Sequence, residues 1–347
     1  MVVSWANQSL CYLQARIGSD GLYHIRKAGV LQQGADSLDA FHARVGALGL
    51  DGGEVIALLS PGQYQLLQID MPAVPADELR AAARYQIRDR VDTHLDDLTI
   101  DVMPVGDGQQ KGAAQLYVVA AANTDLQAVS GLTQRQRWSL AVIDIQETAQ
   151  RNLQLALLDA DTRSGVAHAA LVVDAGGKQA LLTIVANGEL FYSRRIDLPE
   201  GFMALHWSGA DAAAAPVPDA PDSYLPVAEY QPDYSGSASY DYSVSASASG
   251  TAFGGSASDT ERAQRLLVEV QRSLDLWDRT QSALPLRGLR VFAGERSEEM
   301  AAWLTRDLGQ TVGVLDNHHR YPELMALAPE DAASCMPLLG VLLRGTV

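Results

Sequence analysis

The sequence predicts an α/β protein of two lobes. Three observations carry this. Strand and helix patterns alternate along most of the chain, its 347 residues exceed one simple core, and the composition breaks once, late in the sequence. Hydrophobic residues are 47% and charged residues 20%, within the globular range.

Each element has a local reason. "MVVSWANQSLCYLQAR" and "GLYHIRKAGVL" read as strands joined by a turn, from alternation and β-branched or aromatic content. "LDAFHARVGALGL" is a short amphipathic helix ending at Gly49. "EVIALLSPGQYQLLQIDMP" reads as a strand pair around a Pro61-Gly62 turn. "PADELRAAARYQIRDRV" is a helix with Pro75 at its start, acids Asp77 and Glu78 in the first turn, and Arg88 and Arg90 near the end. That order suits the helix dipole. Its Leu79, Ala83, Ile87 and Val91 share one face. "LTIDVMPV" and "AAQLYVVAAA" are strands around a polar turn, "NTDLQAVSGL" a short helix, "WSLAVIDI" a buried strand and "QETAQRNLQLALL" a helix. "ALVVDAGGKQALLTIVANGELFYSRRID" is a run of strands with a tight Asp174–Gly177 turn.

The composition then changes. No lysine or arginine lies between Arg195 and Arg262, and the stretch is rich in Ser, Ala, Gly, Pro and Asp. Such a segment buries too little apolar surface to offset about 1–2 kcal/mol of backbone entropy per residue. Residues 209–257 are therefore expected to be a disordered insertion, either a tolerated surface loop or one whose tyrosines are sticky points for a partner. Order returns with a capping box at Ser258 and Glu261 and a helix carrying Leu266, Val270, Leu274 and Trp277 on one stripe. "LRVFAG" is a strand, "SEEMAAWLTRDLG" a helix stopped by Gly309, "QTVGVL" a last strand, and "EDAASCMPLLGVLLRG" a closing apolar helix.

Several function classes are disfavoured. A formal net charge of −16 disfavours nucleic acid, whose binding is mostly neutralisation of phosphate, and also anionic membrane surfaces. Cys11 and Cys335 give no disulfide framework and no metal spacing. The seven histidines show no ligand pattern, and no nucleophile elbow, Walker loop or dinucleotide fingerprint is present. No catalytic residue and no metal site are expected. The N-terminus lacks a basic start and an apolar core, so no signal peptide is expected. The longest apolar run, 335–343, is about half of the ~20 residues needed to span a bilayer. The expected location is the cytoplasm, with membrane association only through a partner.

The Asp174–Gly177 turn is the one motif with chemistry. Glycines let backbone N–H groups approach phosphate, and an Asp can hold a metal-bound water. The same residues also make an ordinary hairpin turn.

Taken in order, the segments resemble the PilM/MshI-type proteins of type IV pilus assembly, over most of residues 1–205 and 258–347. The resemblance rests on "LQIDMPAVPADELRAAARYQIRDRVDTHLDDLTIDVMPV", "LAVIDIQETAQRNL", "LVVDAGGKQALLTIVANGELFYSRRI", "LLVEVQRSLDLW", "RVFAGERSEEMAAWLTRDLGQTVGVL" and "CMPLLGVLLRG". It implies a two-lobed actin-like (ribonuclease-H-like) fold. The first lobe would span 1–165, with a small subdomain inserted near 70–121. The second would span 166–347, with the insertion at 209–257. It implies a scaffold that docks the N-terminal tail of a PilN- or MshJ-like inner-membrane protein and links it to the cytoplasmic assembly ATPase. The mannose-sensitive-haemagglutinin-type branch is the expected one. The tail groove would involve helix 76–91, with Leu79, Tyr85 and Arg88. These residues fit ordinary core and solvated surface equally well.

The resemblance also implies a nucleotide cleft, of which this chain keeps part. Asp174, Gly176, Gly177 and Lys178 stand for the second phosphate hairpin, Gly294 for the adenosine turn, and Glu269, Arg272 and Ser273 for base and ribose contacts. That helical set fits a surface salt-bridge cluster as well. The first hairpin lacks the family's Asp-x-Gly: Trp5 and Asn7 stand there, and no glycine precedes Gly18. ATP with magnesium is expected to bind weakly or not at all, and the chain to be a pseudo-ATPase. Three other readings stay open: a working ATPase, an L-type cytoplasmic component of type II secretion, and an unrelated two-lobed α/β protein. Deletion of 209–257 should change unfolding free energy by less than about 1 kcal/mol, since loop length enters only logarithmically. Urea denaturation of the shortened chain checks this.

Overall fold

The computed structural model describes residues 1–50, 53–108, 114–158, 164–207, 259–315 and 320–345. The expected insertion at 209–257, the cap residue Ser258 and the His318–His319 pair lie outside the described residues.

The first lobe is a five-stranded sheet. Strands β1 (Val2–Ala6), β2 (Ser9–Ile17) and β3 (Tyr23–Gln32) form an antiparallel meander, and β4 (Glu54–Leu58) and β8 (Ser139–Asp144) run parallel to β1. The order is β3-β2-β1-β4-β8. One face packs Val3, Leu10 and Val55 against α1 (Leu38–Ala47) and α3 (Asn123–Arg135) through Phe41, Val45, Val129 and Leu132. Ser37 caps α1 by accepting from the Ala40 N–H at 3.2 Å.

Between β4 and β8 the chain builds a small subdomain. Its sheet has the order β5-β7-β6, from β5 (Tyr64–Asp70), β6 (Leu98–Pro104) and β7 (Gln115–Ala122). Helix α2 (Leu79–Gln86) covers it, with Ala83 and Ile87 buried against Ile69, Ile100 and Val118. Two expectations are corrected here. The strands flanking Pro61-Gly62 are not paired with each other. Gly62, at φ 91°, turns the chain out of the first sheet, so β4 and β5 lie in different sheets. Strand β8 is not a buried strand but the edge of its sheet, bonded on one side only, and Ser139, Ala141 and Ile143 are exposed.

The second lobe repeats the plan. Strands β9 (Ala167–Val173), β10 (Gln179–Ala186) and β11 (Glu189–Asp197) are antiparallel, and β12 (Leu286–Phe292) and β13 (Val312–Val314) run parallel to β9. The order β11-β10-β9-β12-β13 is that of the first lobe over again. Helices α5 (Asp259–Thr280) and α6 (Ser297–Leu308) cover one face through Leu266, Val270, Trp277, Met300 and Leu304. Two lobes of this strand order, with a subdomain inserted in the first, make the actin-like fold expected from the sequence.

The lobes exchange helices. Helix α4 (Gln146–Ala156) ends the first lobe but packs on β9, β10 and β11 of the second. Helix α7 (Pro329–Leu342) follows the second lobe but packs on β1, β2 and β3 of the first. The two touch at Gly340, where a Cβ would sit 2.1 Å from the Ala149 carbonyl oxygen. Asn152 Nδ2 donates to Gly340 O at 3.0 Å beside this contact. Enclosed between α7 and the second sheet, α4 buries Glu147, Gln150, Asn152 and Gln154. Gln150 Nε2 reaches Ala170 O, Leu181 O and Thr183 Oγ1 at 2.9–3.0 Å, replacing the water its amide loses.

Gly340→Ala should therefore destabilise the chain by about 1–3 kcal/mol or more, through overpacking against a backbone that cannot yield. Gly131→Ala, on the exposed face of α3 with open space around it, should stabilise by roughly 0.5–1 kcal/mol. Urea midpoints of the two variants check the pair.

Candidate functional site

The duplicated lobes face each other across a cleft of about 1060 Å³. The β1–β2 and β9–β10 turns both border it, as do the 60–62 turn, α4 and α7. Each lobe's first two strands form a hairpin, so the strand order itself brings two hairpin tips to one cavity.

The first tip is a two-residue turn. Asn7 and Gln8 have φ of 50° and 60°, the left-handed pair that a type I′ hairpin needs. The hairpin geometry survives without glycine, and both positions carry exposed side chains. A ligand at this tip meets an amide side chain before backbone.

The second tip holds Asp174, Gly176, Gly177 and Lys178 together in the cleft wall. Asp174 Oδ1 accepts from the Lys178 N–H at 2.7 Å and the Gln179 N–H at 3.1 Å. The Gly177 N–H donates to Asp174 O at 2.9 Å. Three backbone donors of the turn are thus bonded inside it, two to the Asp174 carboxylate and one to the Asp174 carbonyl. Gly177 is needed twice over: its φ is 62°, and a Cβ would lie 2.5 Å from Met203 Cγ. Gly176 has no such need, since its Cβ would meet nothing closer than Asp174 Oδ2 at 3.6 Å.

The charges in the lining are mixed. Asp174, Asp197 and Glu200 face Lys178 and Arg195 there. Arg195 is already engaged: it donates to Glu147 Oε1 at 2.8 Å and also to the Tyr64 hydroxyl. Tyr64 donates to Glu147 Oε2 at 2.5 Å, and its ring lies 5.2 Å from the guanidinium. Burial first, then the Glu147 charge, pushes the Tyr64 hydroxyl well above its ordinary range, so it remains a donor. A tri- or tetra-anion would meet three carboxylates and one uncommitted lysine. For a nucleotide's phosphates this lining offers one uncommitted lysine, and the amides of Gly177, Lys178 and Gln179 are bonded within the turn. Among the described residues no group of three or more His, Cys, Asp or Glu is placed to hold a metal.

The remaining expected residues lie elsewhere. Glu269, Arg272 and Ser273 are absent from the cleft lining. Glu269 pairs with Arg194, and with Arg272 at 3.0 Å, while buried Ser273 meets Tyr192 Oη at 3.1 Å. Glu269 and Ser273 tie α5 to β11, and Arg272 pairs within α5, which is the salt-bridge alternative. Gly294 does take a left-handed turn, at φ 56°, but the turn is closed by Ser297, whose Oγ accepts from Ala293 N and donates to Gly294 O. It borders Ala333 of α7, which lines the cavity, while Gly294 itself does not. The next residue but one, Arg296, lies over the Trp207 ring at 3.8 Å and donates to Met203 O and Leu205 O. That stack anchors the chain where it leaves β11.

On the subdomain, Leu79 is packed against the core and Tyr85 and Arg88 are not. Tyr85 is 70% exposed, with the Arg88 guanidinium 5.1 Å from its ring. Sequence reasoning missed Tyr64, Glu147 and Arg195. The one available signal was an arginine doublet, Arg194-Arg195, inside a strand.

Three outcomes follow. Gly177→Ala should cost more than about 1 kcal/mol, and Gly176→Ala less than about 0.5, by urea denaturation. Asp174→Ala should cost roughly 1–3 kcal/mol by orphaning two turn amides. Burial holds both thiols neutral, with Cys11 pushed up to about 12 and Cys335 also pushed up, while unfolded thiols ionise near 9.0. Their contribution is complete below that value and is lost as pH rises toward 12. Urea midpoints should fall between about pH 8 and about pH 11, less steeply in Cys11→Ser.

Comparison with known proteins gives the fold. No family model matches the sequence, and no curated protein sequence does. Among solved structures, the PilM–PilN type IV pilus biogenesis complex is similar at 15% identity. The match covers 98% of this chain and 97% of that one, with a TM-score of 0.63. The cytoplasmic domain of EpsL, an inner-membrane component of the Vibrio cholerae type II secretion system, is 15% identical. It covers 56% of this chain and 70% of that one at a TM-score of 0.39. A Bacteroides thetaiotaomicron protein of actin-like ATPase fold and unknown function is 8% identical over 94% and 95% of the two chains, at 0.46. At these identities it is the fold that is shared, and over nearly its whole length this chain has the fold found in the PilM–PilN complex.

Proposed function

We propose that this chain is a PilM-like scaffold of type IV pilus assembly whose nucleotide cleft is degenerate. Whole-chain likeness to the PilM–PilN complex supports a PilN-like partner. In this reading the chain works in the cytoplasm. It takes the N-terminal tail of a PilN- or MshJ-like inner-membrane protein and joins it to the assembly ATPase. No helix among the described residues is long and apolar enough to cross a membrane, so attachment through a partner is consistent with the chain. The mannose-sensitive-haemagglutinin-type branch remains the expected system.

The observation that supports a degenerate cleft is that part of the second hairpin is bonded to itself. Its Lys178 and Gln179 amides hold Asp174 instead of a phosphate. Phosphoryl transfer depends almost wholly on positioning and charge stabilisation. Removing one pre-placed donor typically costs about 10²–10³ in rate. With the first hairpin's glycine gone as well, turnover is negligible. One observation favours a working ATPase instead: nothing in the fold requires glycine at 176, and close approach of a ligand would.

Titration calorimetry separates the readings. ATP with magnesium should give no saturable heat up to about 1 mM. A synthetic tail of the PilN- or MshJ-like partner should bind, and Tyr85→Ala and Arg88→Ala should each weaken it roughly tenfold. Micromolar ATP binding that is lost in Gly176→Ala would favour the working ATPase, and magnesium-dependent ATP hydrolysis lost in Asp174→Ala would overturn the degenerate cleft.

A further inference from the structure

The small subdomain touches both lobes, and its contacts with the second lobe form two joints. The first is Tyr64–Glu147–Arg195. Tyr64 opens β5 of the subdomain, Glu147 lies on α4, and Arg195 lies on β11 of the second lobe. The hydroxyl donates to Glu147 Oε2 and accepts from the Gln146 N–H at 3.1 Å. Glu147 is 1% exposed, so its charge is balanced by Arg195 and the Tyr64 hydroxyl and not by solvent.

The second joint lies at the other end of the subdomain sheet. The Gly106 N–H donates to Leu190 O at 2.8 Å, and Tyr117 Oη to Phe191 O at 3.2 Å. Asn187 Nδ2 donates to Asp107 Oδ2 at 2.6 Å. Val105, Tyr117, Val185 and Leu190 are buried together with Leu155 and Leu158. These three hydrogen bonds involve neither α4 nor α7, so they connect the lobes apart from the α4–α7 crossing, whereas the first joint runs through Glu147 of α4.

We propose that the small subdomain is a strut that locks the two lobes, so that the cleft opens only when the subdomain detaches from the β10–β11 hairpin. A fold with one flexible crossing between lobes can change its cleft by hinge motion. A second, independent connection between the same bodies removes that freedom. An occupant of the α2 face and the state of the cleft are then linked through one rigid element. That last consequence rests on the proposed docking role, whereas the lock itself does not.

The chain carries its own reporter, since Cys11 lines the cleft and Cys335 is buried. The experiment is maleimide labelling of Cys11 in the full chain, at fixed pH, with hydrogen exchange followed by mass spectrometry. The variants are Tyr64→Phe, Tyr117→Phe and the double variant, each of which removes only a hydroxyl. The double variant should label about tenfold faster or more, the equivalent of one charge-linked hydrogen bond. Faster exchange in 64–70, 103–107 and 187–197 should accompany it, with α4 and α7 still protected. An unchanged labelling rate in the double variant overturns the lock, whatever the exchange shows. A rise accompanied by lost protection throughout both lobes is global unfolding and also overturns it. ATP binding, which tests the cleft's chemistry, moves neither readout in the ligand-free protein, so failure of the lock and failure of the scaffold reading are told apart.

Discussion

The crossing of α4 and α7 is the constraint on which the rest of the structure depends. Each helix belongs in sequence to one lobe and in packing to the other. Neither lobe buries its inner sheet face without the helix lent by its neighbour. The approach is close enough that Gly340 admits no side chain against the Ala149 carbonyl. Close packing of this kind fixes the distance between the two helices at the crossing, because rigid interiors yield little, while the subdomain's contacts with the second lobe bear on the angle. The cleft is what remains between two lobes held at that angle.

Given the crossing, the strand order places the chemistry. Both lobes begin with an antiparallel hairpin at the centre of their sheets, so both tips reach the same cavity. Their positions are a property of the fold, and their chemistry is a property of the side chains. Asn7 and Gln8 hold a turn that glycine makes more easily, and Asp174 turns the second tip's donors inward. The hairpins shape the cleft wall whichever side chains their tips carry.

Buried polar groups, more than apolar ones, tie the bodies together. Glu147, Gln150 and Asn152 on one short helix reach the subdomain, the second sheet and α7 respectively. Such contacts add little net stability when complete and cost much when broken, so they specify one arrangement among several that would bury similar area. The Arg296–Trp207 stack does the same for the segment that leaves β11.

Much of this was legible in the chain itself. Periodicity places α2, with Ala83 and Ile87 inward, and the α5 stripe of Leu266, Val270 and Trp277, because burial on one face leaves its spacing in the sequence. The Asp174–Gly177 turn and the loss of glycine near residue 7 were also legible, since turn chemistry is local. The partners of side chains were not. Glu269, Arg272 and Ser273 sit at plausible spacing on α5, yet only the sheet beneath decides that Glu269 and Ser273 meet β11, while Arg272 pairs with Glu269 on its own helix. The "QETAQRNLQLA" segment reads as a helix, and only enclosure between α7 and the second sheet makes its polar side interior. Strands β4 and β5 adjoin in sequence but lie in different sheets. The sequence alone determined which residues form elements and turns, because those depend on neighbours within a few residues. Tertiary structure decided which elements share helices, where charges find partners and how far the cleft is closed, because those depend on groups brought together from distant parts of the chain.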